Sequence, residues 1–189
     1  MTKDRYFSDR QLAIVEQCLV NTEDLVSHRF QLSREEWGSI HYDLRTLAFL
    51  SQEEITDQAM AQVAKYECFS PSGHGSPWPL EFYRVCVQDH KVLDRIRRGK
   101  QVLRLETLML YVLTHEIIHV VRFSRSFQEF DIFGFERQLE ERRVHQETFE
   151  CLRDVDVPGL DLVLGAYKAL RGTSNEQAGG RIPRVCKKP

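Results

Sequence analysis

The chain has 189 residues, a length typical of one domain that can bury a core of its own. Its formal net charge of −2 gives no basic field, which argues against a nucleic acid or a membrane as a partner. Its five cysteines are odd in number, widely spaced and without a Cys-x-x-Cys pair, so we expect neither a disulfide framework nor a cysteine-rich zinc site. The first residues lead into no apolar signal core, and we expect a reduced, cytoplasmic protein.

The first third of the chain is patterned mainly as helix. A helix capped by Ser8 is predicted to reach about residue 20, because apolar side chains recur on one of its faces. Ser33 is followed by two glutamates in the manner of a capping box, which predicts a second helix extending towards residue 50. A third helix is predicted over residues 53–66.

The middle of the chain differs in composition and pattern from the first third. Residues 70–79 hold three prolines and two glycines, which predicts a loop. The segment Glu81–Val87 is aromatic and β-branched with alternating polarity, and it is the one convincing strand. A short basic helix is predicted over residues 92–98, ending near Gly99.

The most apolar helix is predicted over residues 102–123. Its long apolar run contains Glu106, Glu116 and two histidines, so we interpret it as a buried helix and not a membrane span. A phenylalanine-rich connector leads to a last major helix, predicted over residues 135–155.

The C-terminal part is predicted to contain one more helix and a tail. The helix covers residues 160–170, after the break at Pro158 and Gly159. Residues 172–189 are rich in glycine, proline and basic side chains, and we expect them to be disordered. Residues 1–171 are then a single domain, and the predicted fold is a mainly helical α+β protein with a small sheet.

A histidine pair in the apolar helix carries the strongest chemical signal. His115 and His119 are four residues apart, so on a helix both imidazoles lie on one face and can reach a single metal ion. Glu116 lies about 100° round the helix, where it can accept a proton from a water molecule that the metal activates. Two core histidines bonded to the backbone or to each other are the alternative to a metal site.

The next long helix offers a third ligand. Its buried face is predicted from five residues, namely Val144, Thr148, Cys151, Leu152 and Val155. Glu141 falls inside that arc, whereas Glu140 falls outside it. An inward carboxylate requires a cation, so Glu141 is the predicted third ligand, with an ion pair to Arg122 or Arg104 as the alternative. His145, one turn further on, is a candidate ligand, a support for another ligand or an edge residue.

These residues resemble the gluzincin type of zinc metallopeptidase. The resemblance rests on Thr114-His115-Glu116-Ile117-Ile118-His119 together with Glu141, and it covers about residues 80–155. It implies a compact zincin-like domain with one zinc ion bound by His115, His119 and Glu141, Glu116 as general base, and His145 at the supporting position. It also implies a strand beside the motif helix that holds extended substrate, a role that the segment Glu81–Val87 would fill.

The resemblance leaves one part of the site open. No tyrosine or histidine pair for stabilising an oxyanion can be assigned from the sequence, although His74, Tyr83, His90 and Arg122 are candidates.

Three functions fit these observations. The first is a zinc-dependent hydrolase, a small peptidase acting on a peptide or protein. The second is a non-catalytic metal-binding protein, an interaction or regulatory module in which His145 closes the site as a fourth ligand. The third is a carboxylate-bridged di-iron protein, which the Glu116-x-x-His119 spacing suggests but for which Glu141 and His145 are one residue too far apart.

Overall fold

A computed structural model describes residues 5–68, 80–99, 103–127, 129–130, 133–168 and 183–186. The described elements, in chain order, are α1 (Asp9–Arg29), α2 (Arg34–Ser39), β1 (Tyr42–Arg45), two 3₁₀ turns (Leu47–Phe49 and Gln52–Glu54), β2 (Ala61–Cys68), β3 (Leu80–Val87), α3 (Asp89–Arg98), α4 (Leu105–Ser124), α5 (Gly134–Leu152), α6 (Leu160–Lys168) and β4 (Pro183–Cys186). The chain is therefore mainly helical with a small sheet, and the predicted fold class is confirmed.

The strands form a mixed sheet in the order β1-β3-β2-β4. β3 runs parallel to β1 and antiparallel to β2, with Val85 opposite Val63 across the β2–β3 pair. β4 adds a parallel strand on the far side of β2. The predicted strand Glu81–Val87 is confirmed as β3, but it lies inside the sheet, with neighbours on both sides.

Helix α4 is the central helix of the core. Fifteen of its twenty residues are buried, because it packs against α1, α5 and α6 as well as against β2 and β3. A helix that is apolar nearly all round needs such cover on every side. Within the described residues, no helix is both long and apolar enough to cross a bilayer.

Two helices predicted near the N-terminus are wrong in part or in whole. The helix that begins at Ser33 ends at Ser39, and the chain continues as β1. The segment predicted as a helix over 53–66 is a 3₁₀ turn followed by β2. β3 pairs with β2 along its whole length, and that tertiary pairing outweighs the weak local preference. The first helix is confirmed but is longer than predicted, reaching Arg29.

The helices around and after the histidine pair match their predictions closely. α3 ends at Arg98 with Gly99 as its C-cap, near the predicted end, and α4, α5 and α6 occupy the predicted segments with shifted ends. Within the predicted tail, Pro183–Cys186 form β4 and pair with β2. The rest of the predicted tail and the predicted loop over 70–79 lie outside the described residues, as does His74.

A charged network covers the face of the sheet that carries Arg84. The guanidinium of Arg84 donates to Asp43 at 2.7 and 2.8 Å and to Glu54 at 3.2 Å. The hydroxyl of Tyr66 also donates to Glu54, and the backbone N–H of Ser51 caps the same carboxylate at 2.7 Å. Burial raises the pKa of Glu54, but these hydrogen bonds outweigh it and bring the pKa down to about 2.

Candidate metal centre

Four rings line one face of α4. They belong to Tyr111, His115, His119 and Phe123, which follow one another at intervals of four residues. Successive ring centroids are 6.4, 4.8 and 5.7 Å apart, as expected for residues that stack one turn above the next. The helical spacing predicted from the sequence therefore places the two imidazoles side by side.

Helix α5 brings a carboxylate to both histidines. The Oε2 atom of Glu141 lies 3.4 Å from Nε2 of His115 and 3.4 Å from Nε2 of His119. This separation is longer than an ordinary N–H···O hydrogen bond. Two ligands at ~2.1 Å from a tetrahedral ion are about 3.4 Å apart, so each histidine nitrogen has the spacing of a co-ligand from the Glu141 oxygen.

His145 joins the same cluster. One ring nitrogen of His145, one of His115 and a carboxylate oxygen of Glu141 all lie within 4.8 Å of one another, close enough to hold one metal ion. The imidazole of His145 packs on that of His115 with ring centroids 4.5 Å apart. Its Nδ1 atom lies 2.8 Å from the hydroxyl of Tyr111. The cluster thus contains the donor set that zinc prefers, imidazole nitrogen with carboxylate oxygen.

The structure corrects the predicted burial of two adjacent glutamates. Glu140, which the helix phase placed outside the buried face, is fully buried and receives two hydrogen bonds from Arg122, at 2.7 and 2.9 Å. Glu141 is not fully buried, and its side chain is 16% exposed. Glu140 shares its stripe with Val144 and Thr148, four and eight residues on, which puts it inward.

The same ion pair bears on the alternative considered for Glu141, a salt bridge to Arg122 or Arg104. Arg122 pairs with the neighbouring Glu140. Four of the five residues predicted for the buried face of α5 are buried, and Val155 lies beyond the end of the helix and is half-buried.

Glu116 lies within the core side of α4. Its relative exposure is 8%, and it follows His115 directly on the helix. Burial is the main cause of the raised pKa of the Cys86 thiol on β3, and the negative charge of Glu116 adds to the effect. Glu116 is thus a buried carboxylate of α4.

The candidates for oxyanion stabilisation are engaged elsewhere. The hydroxyl of Tyr83 donates to Glu81 at 2.9 Å, and His90 lies 2.8 Å from Asp57 near the start of α3. Arg122 is held by the buried Glu140 described above.

The predicted substrate strand is also wrong. β3 pairs with β1 over Tyr83–Cys86 and with β2 over its whole length, so its backbone cannot pair with a substrate along that stretch.

Two tyrosines of the site were missed from the sequence. Tyr111 contacts His145, and its ring stacks on that of Tyr167 from α6 at 4.2 Å. The position of Tyr111, one helical turn before His115, is a signal that the sequence contained. Tyr167 carried no such signal, because only the packing of α6 against α4 brings it near.

No family model, no curated protein and no solved structure matches this chain. The likeness to gluzincins therefore rests on the motif residues alone, and what the structure itself defines is a mainly helical α+β protein with a His/Glu/His cluster able to bind a metal ion.

Proposed function

We propose that this protein is a zinc-dependent hydrolase whose ion is held by His115, His119 and Glu141. The observation that carries the proposal is the 3.4 Å spacing from a single oxygen of Glu141 to Nε2 of both histidines. This spacing equals the edge length of a coordination tetrahedron around zinc, and the oxygen is equally far from both nitrogens.

The chemistry of the donor set supports a hydrolytic ion. Two imidazoles and one carboxylate are the set found in catalytic zinc sites of the His₂Glu type. Zinc bound by such a set lowers the pKa of a coordinated water to about 7 and polarises a carbonyl group. The side chains of His115 and Glu141 are 12% and 16% exposed, so both lie at the edge of the buried core and not fully inside it.

Glu116 is the proposed general base. It follows His115 in the chain but projects about 100° round the helix, which directs it beside the ligand cluster and not into it. Its burial strengthens its interaction with a positively charged site and keeps bulk water from competing for the proton. Glu116 would take the proton of the attacking water and later return it to the leaving group.

The proposed substrate class is a peptide or protein, and it derives from the likeness of the motif to gluzincins. The central position of β3 means that another element must hold an extended substrate.

Zinc stoichiometry and a single isosteric substitution test the proposal. Wild-type protein should bind one zinc ion, and His119→Ala should bind none. Glu116→Gln should keep zinc and fold but lose about 10²–10⁴-fold in the cleavage of casein or quenched peptides. Cleavage that a chelator does not affect, or a fully active Glu116→Gln variant, would remove the hydrolase proposal.

A second candidate is a closed, non-catalytic metal site, and the position of His145 favours it. His145 reaches the same cluster, and a fourth protein ligand leaves room for water only if the ion becomes five-coordinate. In a closed site Glu116→Gln would change no measurable property. Azide added to the cobalt-substituted protein separates the two, because an open site exchanges its water for the anion and changes its visible spectrum, whereas a closed site does not.

A further inference from the structure

Side chains from three helices meet behind the metal centre. Tyr111 of α4 places its hydroxyl 2.8 Å from Nδ1 of His145 on α5. Tyr167 of α6 lies flat on Tyr111, with ring centroids 4.2 Å apart and an interplanar angle of 20°. Tyr111 is 3% exposed, so this contact is made within the protein interior.

The hydrogen bond restricts which nitrogen of His145 can bind a metal. A neutral imidazole carries one proton, and the nitrogen without it has the lone pair that a metal needs. If Nδ1 donates to the Tyr111 oxygen, Nε2 is left with that lone pair. If the phenol donates instead, Nε2 carries the proton and His145 cannot bind a metal.

We propose that Tyr111 is a positioning residue of the metal centre, because its hydroxyl accepts the Nδ1 proton of His145 and so presents Nε2 of that ring to the ion. The inference rests on the proposed metal site and makes His145 a fourth protein ligand, so the water of a hydrolytic site would be the fifth ligand of the ion. It parallels the general rule that the second nitrogen of a ligating histidine is held by an acceptor.

Tyr167 fixes Tyr111 in place. A buried phenol ring can turn about its side-chain bonds unless its faces are covered, and the stacked ring of Tyr167 covers one of them. The packing of α6 is thereby linked to the orientation of His145 through Tyr111. A matched control is Tyr42→Phe, which removes a part-buried phenol hydroxyl that donates to Glu23 and not to a histidine.

The test is a set of zinc affinities measured by competition with a chromophoric chelator. Tyr111→Phe retains the ring and its stack but removes the acceptor, so zinc affinity should fall by about 10–100-fold. Tyr42→Phe should bind zinc as wild type does. In a His145→Ala background, Tyr111→Phe should cause no further loss, because the residue through which it acts is gone.

Two results would overturn the inference. One is a Tyr111→Phe variant with wild-type zinc affinity, and the other is an equal loss of affinity with and without His145, which would mark a general structural effect. Nitrogen NMR of zinc-loaded wild type gives a reading that needs no variant: His145 should be protonated at Nδ1, and protonation at Nε2 would refute the assignment.

The outcome is separable from that of the hydrolase proposal. If the variants show this pattern of zinc affinities but the protein cleaves no substrate, the positioning role of Tyr111 is supported and the hydrolase proposal is refuted. Zinc-dependent cleavage with unchanged affinity in Tyr111→Phe gives the reverse result. Wild-type protein that binds no zinc refutes both.

Discussion

Replacing Arg122 by leucine should destabilise the protein strongly, because it leaves a negative charge buried without its partner. The side chain of Glu140 is 0% exposed and that of Arg122 is 11% exposed, and both guanidinium contacts are short. Breaking a buried pair from one side costs about 3–5 kcal/mol. For a chain of this size that corresponds to a melting temperature lower by roughly 6–20 °C.

The assay is thermal and urea unfolding of metal-free protein. The double variant Arg122→Met, Glu140→Leu should recover most of the loss, since an apolar pair of similar volume avoids the desolvation of both charges. Glu141→Gln is the matched control one residue away. It should change the unfolding free energy by about 1 kcal/mol or less while reducing zinc affinity.

The reasoning is refuted if Arg122→Leu costs less than about 1 kcal/mol, since the pair would then behave as an exposed one. It is equally refuted if the double variant is less stable than Arg122→Leu, because that would mean the ion pair itself contributes more than its burial costs.

Three further predictions concern acid, metal and thiol chemistry. The pKa of Glu54 is about 2 in the folded protein against 4.5 for the unperturbed group, so its stabilisation is complete above pH 4.5 and is lost as the pH falls towards 2. Glu54→Gln should reduce the loss of unfolding free energy at acid pH, measured by urea unfolding, by about 2–3 kcal/mol. An unchanged acid dependence would contradict the proposed hydrogen bonding of Glu54. Zinc at 100 times its dissociation constant should stabilise wild type by about 2.7 kcal/mol, a shift that a chelator reverses and that His119→Ala lacks. Burial raises the thiol pKa of Cys18 and Cys151 to about 12, so iodoacetamide at pH 8 should alkylate them only in denaturant, as peptide mass mapping would reveal.

The sequence alone determined those features that depend on local spacing. The four-residue interval between His115 and His119 fixes both rings on one helical face, whatever surrounds the helix. The apolar character of α4 required that it be buried, and the caps and breakers placed α3 and α6 near their observed positions. The third carboxylate, Glu141, was also found from the sequence, although the helix phase that selected it overestimated its burial.

Tertiary structure decided whatever depends on partners far apart in the chain. β2 is a strand because β3 lies beside it, and its own sequence is compatible with a helix. β3 was identified as a strand, but only the sheet order shows that it is internal and that its backbone is already paired.

The same reason explains the outcome at the site. The adjacent residues Glu140 and Glu141 of α5 have different surroundings. Glu140 forms an ion pair with Arg122 of α4, whereas Glu141 lies near the two histidines of α4. The partners of both glutamates therefore come from a helix other than α5. Tyr167 reaches Tyr111 only because α6 packs back on α4. The local sequence determines which side chains share a helical face. The tertiary fold determines which charged groups and aromatic rings pack against that face.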